Sequence, residues 1–451
     1  MSTQKDQKIL IIGTGTFGAS TAYHLAKRGY TNITCIDKWP YPSLDSAGYD
    51  LVRATCLSSN QSQLTCPLAI QNKIIRTEYD EPLYAEMALE AIQAWRDPLY
   101  KDIFHETGWI LTTLGDPKAV AHLEKSYKNL KDKGQAHNID FVKGKDEIAK
   151  YVPQLRNARD IDNWRGLWNK QAGWAHAANA IKKIADEAGK MGVRFISGSA
   201  GEMVSLETSG NKVTGVKVKS GDVYTADRYI LSTGAASPAL LPELSTELWS
   251  KCWTYGLLEL TEEEAAQFKD MPVVLNHELG FFFEPSTEGR LIKICNEFPG
   301  YQWQKGEYTD PATGKTKKYS IPRYASEYPK DGIPEEAMNA IKHFISTVIP
   351  QFEGREIKGA KVCWCTDSPD AHYLIDTHPK YPGGELLLAT GDSGHAFKMM
   401  PIIGKYIANA LEGDFKKEWK YGNRQHLDSG RPGDEVKDLE DVGIGGPQAR
   451  L

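Results

Sequence analysis

One glycine-rich turn near the N-terminus constrains the fold of this chain more than any other feature. The apolar residues 9–12 lead into a G-x-G-x-x-G turn formed by Gly13, Gly15 and Gly18. A helix-like stretch follows, and a second apolar run then ends at Asp37. Strand, turn, helix, strand and acid at this spacing predict a βαβ unit that binds a dinucleotide, with the helix N-terminus at the phosphates and the acid at the ribose hydroxyls. A glycine-rich turn in an ordinary α/β domain is the alternative, and the motif alone does not distinguish NAD from FAD.

Length and composition limit the classes of protein that remain. A chain of 451 residues is long enough for two domains. A net charge of −5 gives no reason to expect nucleic acid or a membrane surface as partner, and no apolar run approaches the roughly 18 residues of a membrane span. The N-terminus is short and polar, so no secretory signal is expected. The seven cysteines are scattered and odd in number, which argues against a disulfide framework and fits a reducing compartment. Their spacing does not indicate a structural zinc site.

The pattern of apolar runs predicts two kinds of sheet. The first part of the chain alternates strands and helices with a small β-meander, whereas aromatic-rich alternating runs dominate later. We therefore expect an α/β fold, in which a Rossmann-type nucleotide domain is combined with a second, mostly antiparallel-sheet (α+β) substrate domain. The expected nucleotide domain is discontinuous, with residues 1–105, 168–240 and 360–451, and the substrate domain comprises residues 106–167 and 241–359.

Four regions carry further motifs. They are SAGYDL with NKIIRTEYDEPLY (46–51 and 72–84), FFFEPSTEGRLIKICNEFPGY (281–301), CWCTDSPDAHYLID (363–376) and GDSGHAFKMMPIIGK (391–405). These motifs resemble the fructosyl amino acid oxidases (amadoriases), which belong to the sarcosine-oxidase-like, D-amino-acid-oxidase-like group of flavoproteins. The resemblance extends from Lys8 to about Gly413. It implies an FAD-dependent oxidase of glycated amino acids that passes a hydride to flavin and yields glucosone, free amino acid and hydrogen peroxide.

Cys363 is the expected point of covalent cofactor attachment. The segment from Cys363 to Asp370 resembles the family pattern C-x-x-T-x-[ST]-P-D, whose first cysteine forms a thioether with the flavin 8-methyl group. A thiolate is the nucleophile that such a bond requires. Cys365 is a weaker candidate, and two buried, inert cysteines are the structural alternative.

Two lysines are expected to be catalytic. Lys293 lies inside an apolar strand pattern, where a lone lysine is costly unless it is paired or functional. The resemblance implies that Lys293 promotes the reaction with oxygen, because an ammonium stabilises the anion that forms. An ordinary strand lysine pointing to solvent is the alternative. Lys73 resembles one member of a basic pair beside the flavin ring.

The substrate contacts implied by the resemblance come from three regions of the chain. Lys398 resembles the lysine that holds the substrate carboxylate, and Arg76 is the second member of the basic pair. Glu284 follows three consecutive phenylalanines and resembles the acid that contacts the sugar or the amine. His395 is not expected to act as a base, because hydride transfer needs only a neutral amine.

Cofactor contacts are expected along the whole chain, and no metal site is expected. The predicted cofactor is FAD, attached through Cys363. Its expected contacts are Gly13, Gly15, Thr16, Phe17, Gly18, Asp37, Lys38, Ser46, Lys73, Thr233, Gly234, Cys363, Asp392, Ser393, Gly394 and Lys398.

Residues 52–71 match neither neighbouring segment. In the resembled family the SAGYDL motif continues directly into NKIIR, whereas 20 residues intervene here. Their codons permit splice signals at both ends, so we hypothesise a translated intron that impairs catalysis beside Lys73. A genuine surface loop is the alternative, because long loops add little closure entropy. The rival functions are oxidation of a related secondary amine, such as sarcosine or pipecolate, and a non-catalytic mis-spliced product.

The last three residues predict a location for the protein. Ala449, Arg450 and Leu451 resemble a C-terminal peroxisomal address, and cytoplasm is the expected location otherwise. The expected partners are a small glycated amino acid and oxygen, with no nucleic acid and no membrane, and a monomer is expected.

Overall fold

The structure of the chain is a computed structural model that describes residues 5–49, 51–55, 65–69, 72–287, 289–422, 424 and 436–445, with side chains left out at 51–55, 65–69 and 297–299. Its strands, in chain order, are β1 Ile9–Ile12, β2 Ile33–Asp37, β3 Leu51–Thr55, β4 Thr65–Ala69, β5 Asn72–Ile75, β6 Phe104–His105, β7 Trp109–Thr113, β8 Ile139–Lys143, β9 Arg165–Asn169, β10 Gly173–His176, β11 Arg194–Ser197, β12 Met203–Ser209, β13 Lys212–Val218, β14 Val223–Tyr224, β15 Arg228–Leu231, β16 Trp249–Glu259, β17 Val273–Asn276, β18 Gly280–Phe282, β19 Leu291–Gln302, β20 Gly306–Thr309, β21 Thr316–Tyr319, β22 Ile357–Asp367, β23 Leu374–Thr377, β24 Leu386–Thr390 and β25 Lys437–Asp438. Its α-helices are α1 Thr16–Lys27, α2 Pro82–Trp95, α3 Pro117–Asp132, α4 Gly144–Tyr151, α5 Ala177–Lys190, α6 Ser237–Leu240, α7 Glu262–Gln267, α8 Glu335–Val348, α9 Met400–Leu411 and α10 Leu439–Val442.

The first sheet has the order β11-β2-β1-β15-β24-β23. Its first five strands are parallel, and β23 pairs antiparallel with β24. Helix α1 packs against α5 and α9 on one face of the sheet. The predicted glycine turn leaves β1 at its carboxyl end, which is the edge where open α/β sheets bind their ligands.

Strand β1 shows why this sheet is a continuous apolar run in the sequence. Ile9 and Ile11 pack into the core that contains α1, α5 and α9, whereas Leu10 and Ile12 pack into a second core on the opposite face. Successive side chains of a strand point to opposite faces, and both faces of this strand are covered. The result is a run of four buried residues with no polar alternation.

The second large sheet has the order β22-β16-β19-β18-β17-β7-β9-β8, with β25 paired to β19. Its ladders are antiparallel except for β7 with β17 and β19 with β25. Helix α8 covers β16 and β19 with an apolar face. A nucleotide-type parallel sheet beside a mostly antiparallel sheet is the predicted fold class.

The sheets divide the chain differently from the predicted domain boundaries. Strand β22 pairs with β16, with Cys363 opposite Trp253, so Cys363 belongs to the second sheet although residues 360–451 were assigned to the nucleotide domain. The division also differs at β9, which crosses the predicted boundary at 167/168, and at β25. The physical reason is that pairing with a distant strand, and not the position along the chain, decides which sheet a strand joins.

The segment that does not match its neighbours contains an antiparallel hairpin. Strands β3 and β4 pair with each other, and Leu51 lies opposite Ala69 at the open end of the hairpin. Residues 56–64 and 70–71 lie outside the described residues, as does the predicted C-terminal address at 449–451. The described helices include none that is both long and apolar enough to cross a membrane.

Candidate active site

Two adjoining cavities lie between the two large sheets. The first has a volume of about 470 Å³ and extends from the turn between β1 and α1 to strand β22. The second has a volume of about 480 Å³ and is lined by β16, β19 and the segment after β5. Five residues line both cavities, which therefore meet at Lys73, Trp253, Cys363, Gly394 and Phe397.

The glycine turn forms the far end of the first cavity. Gly13 has a φ of +98°, and a Cβ atom at this position would lie 2.4 Å from the carbonyl oxygen of Ser232. A Cβ atom on Gly18 would lie 1.9 Å from the carbonyl oxygen of Gly13. A Cβ atom on Gly15 would lie 3.0 Å from Oγ of Ser46. The turn thus provides a cradle that side chains would fill, with the N-terminus of α1 directed at it.

Asp37 lies at the end of β2, as the fingerprint predicts, and lines the first cavity. Its Oδ2 accepts hydrogen bonds from the backbone N (2.7 Å) and Oγ1 (3.0 Å) of Thr14, and its Oδ1 accepts from Trp39 N and Ser43 Oγ, both at 2.9 Å. Burial raises the pKa of this carboxyl above its ordinary value, and these four hydrogen bonds oppose that rise. The carboxylate is held rigidly at the position expected for a ribose contact.

Most of the predicted cofactor contacts line the first cavity. Three do not: Gly18 lies beneath the turn, Ser393 is buried and donates its backbone N–H to Thr366 O, and Lys398 lines only the second cavity. The predicted residues on the wall of the first cavity are Gly13, Gly15, Thr16, Phe17, Asp37, Lys38, Ser46, Lys73, Thr233, Gly234, Cys363, Asp392 and Gly394.

Cys363 and Cys365 differ in their surroundings. Sγ of Cys363 lies 3.8 Å from Nζ of Lys73, at the junction of the two cavities. Cys365 is buried, and its Sγ–H donates to the carbonyl oxygen of Lys251 at 3.3 Å. Burial raises the pKa of the Cys365 thiol well above its ordinary value, whereas Cys363 is only partly buried and lines both cavities. The geometry therefore favours Cys363 as the nucleophile.

Lys293 is buried inside the second cavity. It lies on β19 opposite Leu257 of β16, and the whole residue is only 3% exposed. Its Nζ lies 4.6 Å from the centre of the Tyr255 ring. The alternative that this lysine points to solvent is therefore wrong, and the side chain of Lys293 lines the second cavity.

Arg76 and Lys398 reach the second cavity from different segments and meet at Tyr79. The Arg76 guanidinium carbon lies 4.5 Å from the centre of the Tyr79 ring, and Nζ of Lys398 lies 5.7 Å from the same ring. Nζ of Lys398 also donates to the carbonyl oxygen of His395 at 3.0 Å. These contacts give the cavity two positioned cations, which is the arrangement expected for a carboxylate-binding wall.

Glu284 is not among the residues that line the second cavity, and its predicted contact with the sugar or the amine stays a prediction. Its Oε1 accepts from Nε1 of Trp174 at 2.6 Å, and its Oε2 accepts from the backbone N of Asp270 at 2.7 Å. Phe281 and Phe283 do line the cavity. Successive residues of an extended chain point to opposite sides, so the next residue turns away from the cavity.

His395 has both ring nitrogens engaged. One nitrogen, Nε2, lies 2.9 Å from the carbonyl oxygen of Ala371, which can only accept, so Nε2 carries the proton. Nδ1 is hydrogen-bonded to the hydroxyls of Tyr79 and Tyr373, both at 3.2 Å. The ring is therefore held in place through both nitrogens, and the expectation that His395 does not act as a base stays a prediction.

The sequence reasoning missed two residues of the site. Trp253 lines both cavities, and Glu78 is a fully buried acid on the wall of the second cavity. The signal for Trp253 was its place in an alternating aromatic run. The signal for Glu78 was an acid two residues after a basic pair, which on its own is also typical of a solvent-exposed turn.

Comparison with known proteins decides the family. Residues 8–410 match the family described as FAD dependent oxidoreductase (DAO). The chain belongs to this family. It is 32% identical to L-saccharopine oxidase of Schizosaccharomyces pombe over 424 residues, which cover 91% of each protein. The predicted family, fold class and enzyme class, an FAD-dependent oxidoreductase, are confirmed.

Two solved structures resemble this FAD-dependent oxidoreductase closely. Fructosyl peptide oxidase from E. terrenum has a TM-score of 0.86 and 33% sequence identity, and the match covers 99% of each chain. The deglycating enzyme fructosamine oxidase (Amadoriase II) from Aspergillus fumigatus, solved in complex with FSA, has a TM-score of 0.82 and 32% identity over the full length of both chains.

The residues present fit an FAD group. The glycine cradle and Asp37 are suited to the pyrophosphate and the adenine ribose, and the first cavity continues from them to Cys363. Oγ of Ser232, which lines this cavity, is buried without a hydrogen-bond partner among the described residues. Asp392 lies at the other end, and burial raises its pKa to about 6. The adenine-nucleotide part of FAD would thus be held at one end of the first cavity, and its flavin ring at the other end.

Proposed function

We propose that this chain is an FAD-dependent oxidase of fructosyl amino acids, with FAD attached covalently through Cys363. One observation carries the proposal: Cys363 lies where the two cavities meet, and Arg76, Lys293 and Lys398 line the second cavity. The full-length similarity to fructosyl peptide oxidase and fructosamine oxidase supports glycated amino acids as the substrate class.

The residues of the second cavity have separate roles in the proposed reaction. FAD, when bound, takes a hydride from the carbon beside the substrate nitrogen and returns the electrons to oxygen as hydrogen peroxide. Arg76 and Lys398 bind the carboxylate of the amino-acid part, and their ring contacts with Tyr79 fix their positions. The buried ammonium of Lys293 stabilises negative charge that develops on oxygen. The released imine hydrolyses to glucosone and the free amino acid.

A substrate panel tests the proposed reaction. The holoenzyme is assayed for hydrogen peroxide with fructosyl-valine, Nε-fructosyl-lysine, sarcosine, pipecolate and L-saccharopine. We expect the highest kcat/KM with one of the two fructosyl compounds. The 32% identity to L-saccharopine oxidase favours a second candidate, and the highest kcat/KM with L-saccharopine would replace the proposal by that function.

Acid precipitation tests the proposed attachment. A protein with covalent flavin gives a yellow pellet, because the bond survives unfolding. We expect a yellow pellet for the unchanged chain and for Cys365→Ala, and a colourless pellet for Cys363→Ala. A yellow pellet from Cys363→Ala would show that the sulfur beside Lys73 is not the point of attachment.

We also propose a peroxisomal location, which the motif at 449–451 supports by its sequence alone. The expected result is import of a fluorescent protein that carries the last ten residues, and loss of import when Leu451 is removed. Diffuse fluorescence of both forms would contradict this location.

A further inference from the structure

Among the described residues, four that line the second cavity each carry a buried polar atom without a hydrogen-bond partner. These atoms are Oε1 of Glu78, Nε1 of Trp109, Oγ of Ser126 and Oγ1 of Thr254. Buried polar groups are normally satisfied, and each exception calls for a reason. In a cavity that receives a substrate, the natural reason is that the ligand supplies the missing partner.

Glu78 is the acidic member of this group. The residue is fully buried, and its Oε2 accepts from the backbone N of Thr77 at 3.1 Å while Oε1 stays available. Burial raises the pKa of this carboxyl, and the charge of Arg76 opposes that rise. One oxygen is thus anchored to the backbone, and a hydrogen bond from the side chain of Asn169 also favours the ionised carboxyl. Oε1 has no hydrogen-bond partner among the described residues, and its residue lines the cavity.

Ser126 reaches the same wall from helix α3. Nδ2 of Asn129 donates to the carbonyl oxygen of Asp80 at 3.0 Å, and Nδ1 of His122 lies 3.7 Å from Oδ2 of Asp80. Residues three and four apart share one face of a helix, so Ser126, which lies between these two, is on the face that packs against the segment after Glu78. Glu78 and Ser126 therefore lie on one wall, which we call the acidic wall.

The charges of the cavity indicate what the acidic wall binds. Arg76, Lys293 and Lys398 present cations, which suit a carboxylate but not an ammonium. A carboxylate accepts hydrogen bonds and cannot donate them, and a charged donor satisfies it better than a neutral hydroxyl. An amino-acid end that carries both charges would place its carboxylate on the cations and its ammonium on the acidic wall.

We propose that Glu78, with Ser126, binds a primary ammonium group of the substrate and thereby selects glycated amino acids that keep a second nitrogen, such as Nε-fructosyl-lysine. This inference rests on the proposed function for the identity of the glycated substrate. When a hydrogen bond to a charged group is lost and the remaining partner stays buried, the binding affinity falls roughly ten- to hundredfold. The effect is expected in KM, because the ammonium lies far from the carbon that is oxidised.

A matched pair of substrates tests the inference. Nε-fructosyl-lysine and N-fructosyl-6-aminohexanoate differ only in the α-ammonium group. We expect the unchanged enzyme to prefer the lysine compound ten- to hundredfold in kcat/KM. Glu78→Gln, which preserves shape and the acceptor for Thr77, is expected to abolish that preference through KM, and Ser126→Ala to reduce it about threefold to fivefold. Glu86→Gln, an identical substitution at an exposed ion pair with Lys133, is the control and retains the preference.

A second arm does not depend on turnover. L-Lysine and 6-aminohexanoate are added to the holoenzyme as unreactive probes, and the rise in melting temperature is measured. L-Lysine is expected to stabilise the unchanged protein more than 6-aminohexanoate does, and Glu78→Gln to make the two equal. A difference that persists in Glu78→Gln, or no difference in the unchanged protein, would overturn the inference. Lack of peroxide with both fructosyl compounds, from the form without residues 52–71 as well, would refute the proposed function instead, while the probe arm still decides the role of Glu78.

Discussion

Gly18 offers a sharp test of the close approach between α1 and the turn. In Gly18→Ala the new Cβ atom would lie 1.9 Å from the carbonyl oxygen and 2.9 Å from the carbonyl carbon of Gly13. Real Cβ contacts with such atoms essentially never fall below 3.0 Å, so helix and turn must separate by about 1 Å. Overpacking of this kind costs about 1–3 kcal/mol, and the displaced turn would no longer fit a pyrophosphate.

The assay for Gly18→Ala combines stability with cofactor content. We expect the unfolding free energy to fall by about 1–3 kcal/mol, and the flavin absorbance per protein to fall with it. Gly189→Ala is the matched control, because Gly189 is an exposed residue of α5 whose Cβ would meet nothing within 4 Å. This control is expected to gain about 0.5–1 kcal/mol, since alanine is the better helix former. A Gly18→Ala protein with unchanged stability and full flavin content would refute the reasoning.

Three further predictions concern the cavities and the hairpin. Lys293→Met is expected to slow the reaction of the reduced enzyme with oxygen roughly 10²–10³-fold, because a unit charge about 4 Å away contributes about 4 kcal/mol at an effective dielectric constant of about 20. Stopped-flow mixing of the reduced enzyme with oxygen measures this rate. An equal loss in the rate of anaerobic reduction by substrate would contradict a specific role in the oxygen reaction. Burial raises the pKa of Asp392 to about 6 from a usual 3.8, so ionisation of this carboxyl between pH 4 and 7 disfavours the folded state. The unfolding free energy should therefore fall by roughly 2 kcal/mol as the pH rises from 4 to 7. This fall is smaller than the full pKa shift implies, because the residue keeps some exposure to solvent. Asp392→Asn removes this fall, and denaturant unfolding at pH 4 and 7 that shows the same fall in both proteins would disprove it. Deletion of residues 52–71 is expected to raise kcat/KM and flavin content, because this segment directly precedes β5, whose Lys73 lies 3.8 Å from Sγ of Cys363. Full activity of the 451-residue form would contradict the hypothesis that this segment impairs the enzyme.

Local chemistry made the nucleotide site predictable, whereas long-range pairing did not. The turn at Gly13 and the acid at Asp37 lie within one βαβ unit, so spacing alone placed them at one end of the first cavity. Cys363 was predicted as a site residue from its motif, but its sheet was not, because β22 pairs with β16 more than 100 residues earlier in the chain. Motif resemblance therefore located the chemistry more reliably than the domain boundaries.

Two details of the second cavity have the same physical origin. Glu284, predicted at the substrate from the family resemblance and from its place after three aromatic residues, is turned toward Trp174 by alternation along an extended chain. Glu78 was not expected, because the burial of an acid depends on the helix that packs over it, here α3. The side of the chain on which a residue lies is a tertiary property, which composition and motif do not report.

Because Cys363 lies on the second sheet, the steps of folding and flavin attachment must occur in a fixed order. The glycine turn forms from residues close in sequence and is complete early in synthesis. The sulfur reaches the first cavity only after β22 has been made and has paired with β16, so the proposed covalent bond has to follow the docking of both sheets. Covalent flavin would then be a mark that only a correctly folded chain acquires.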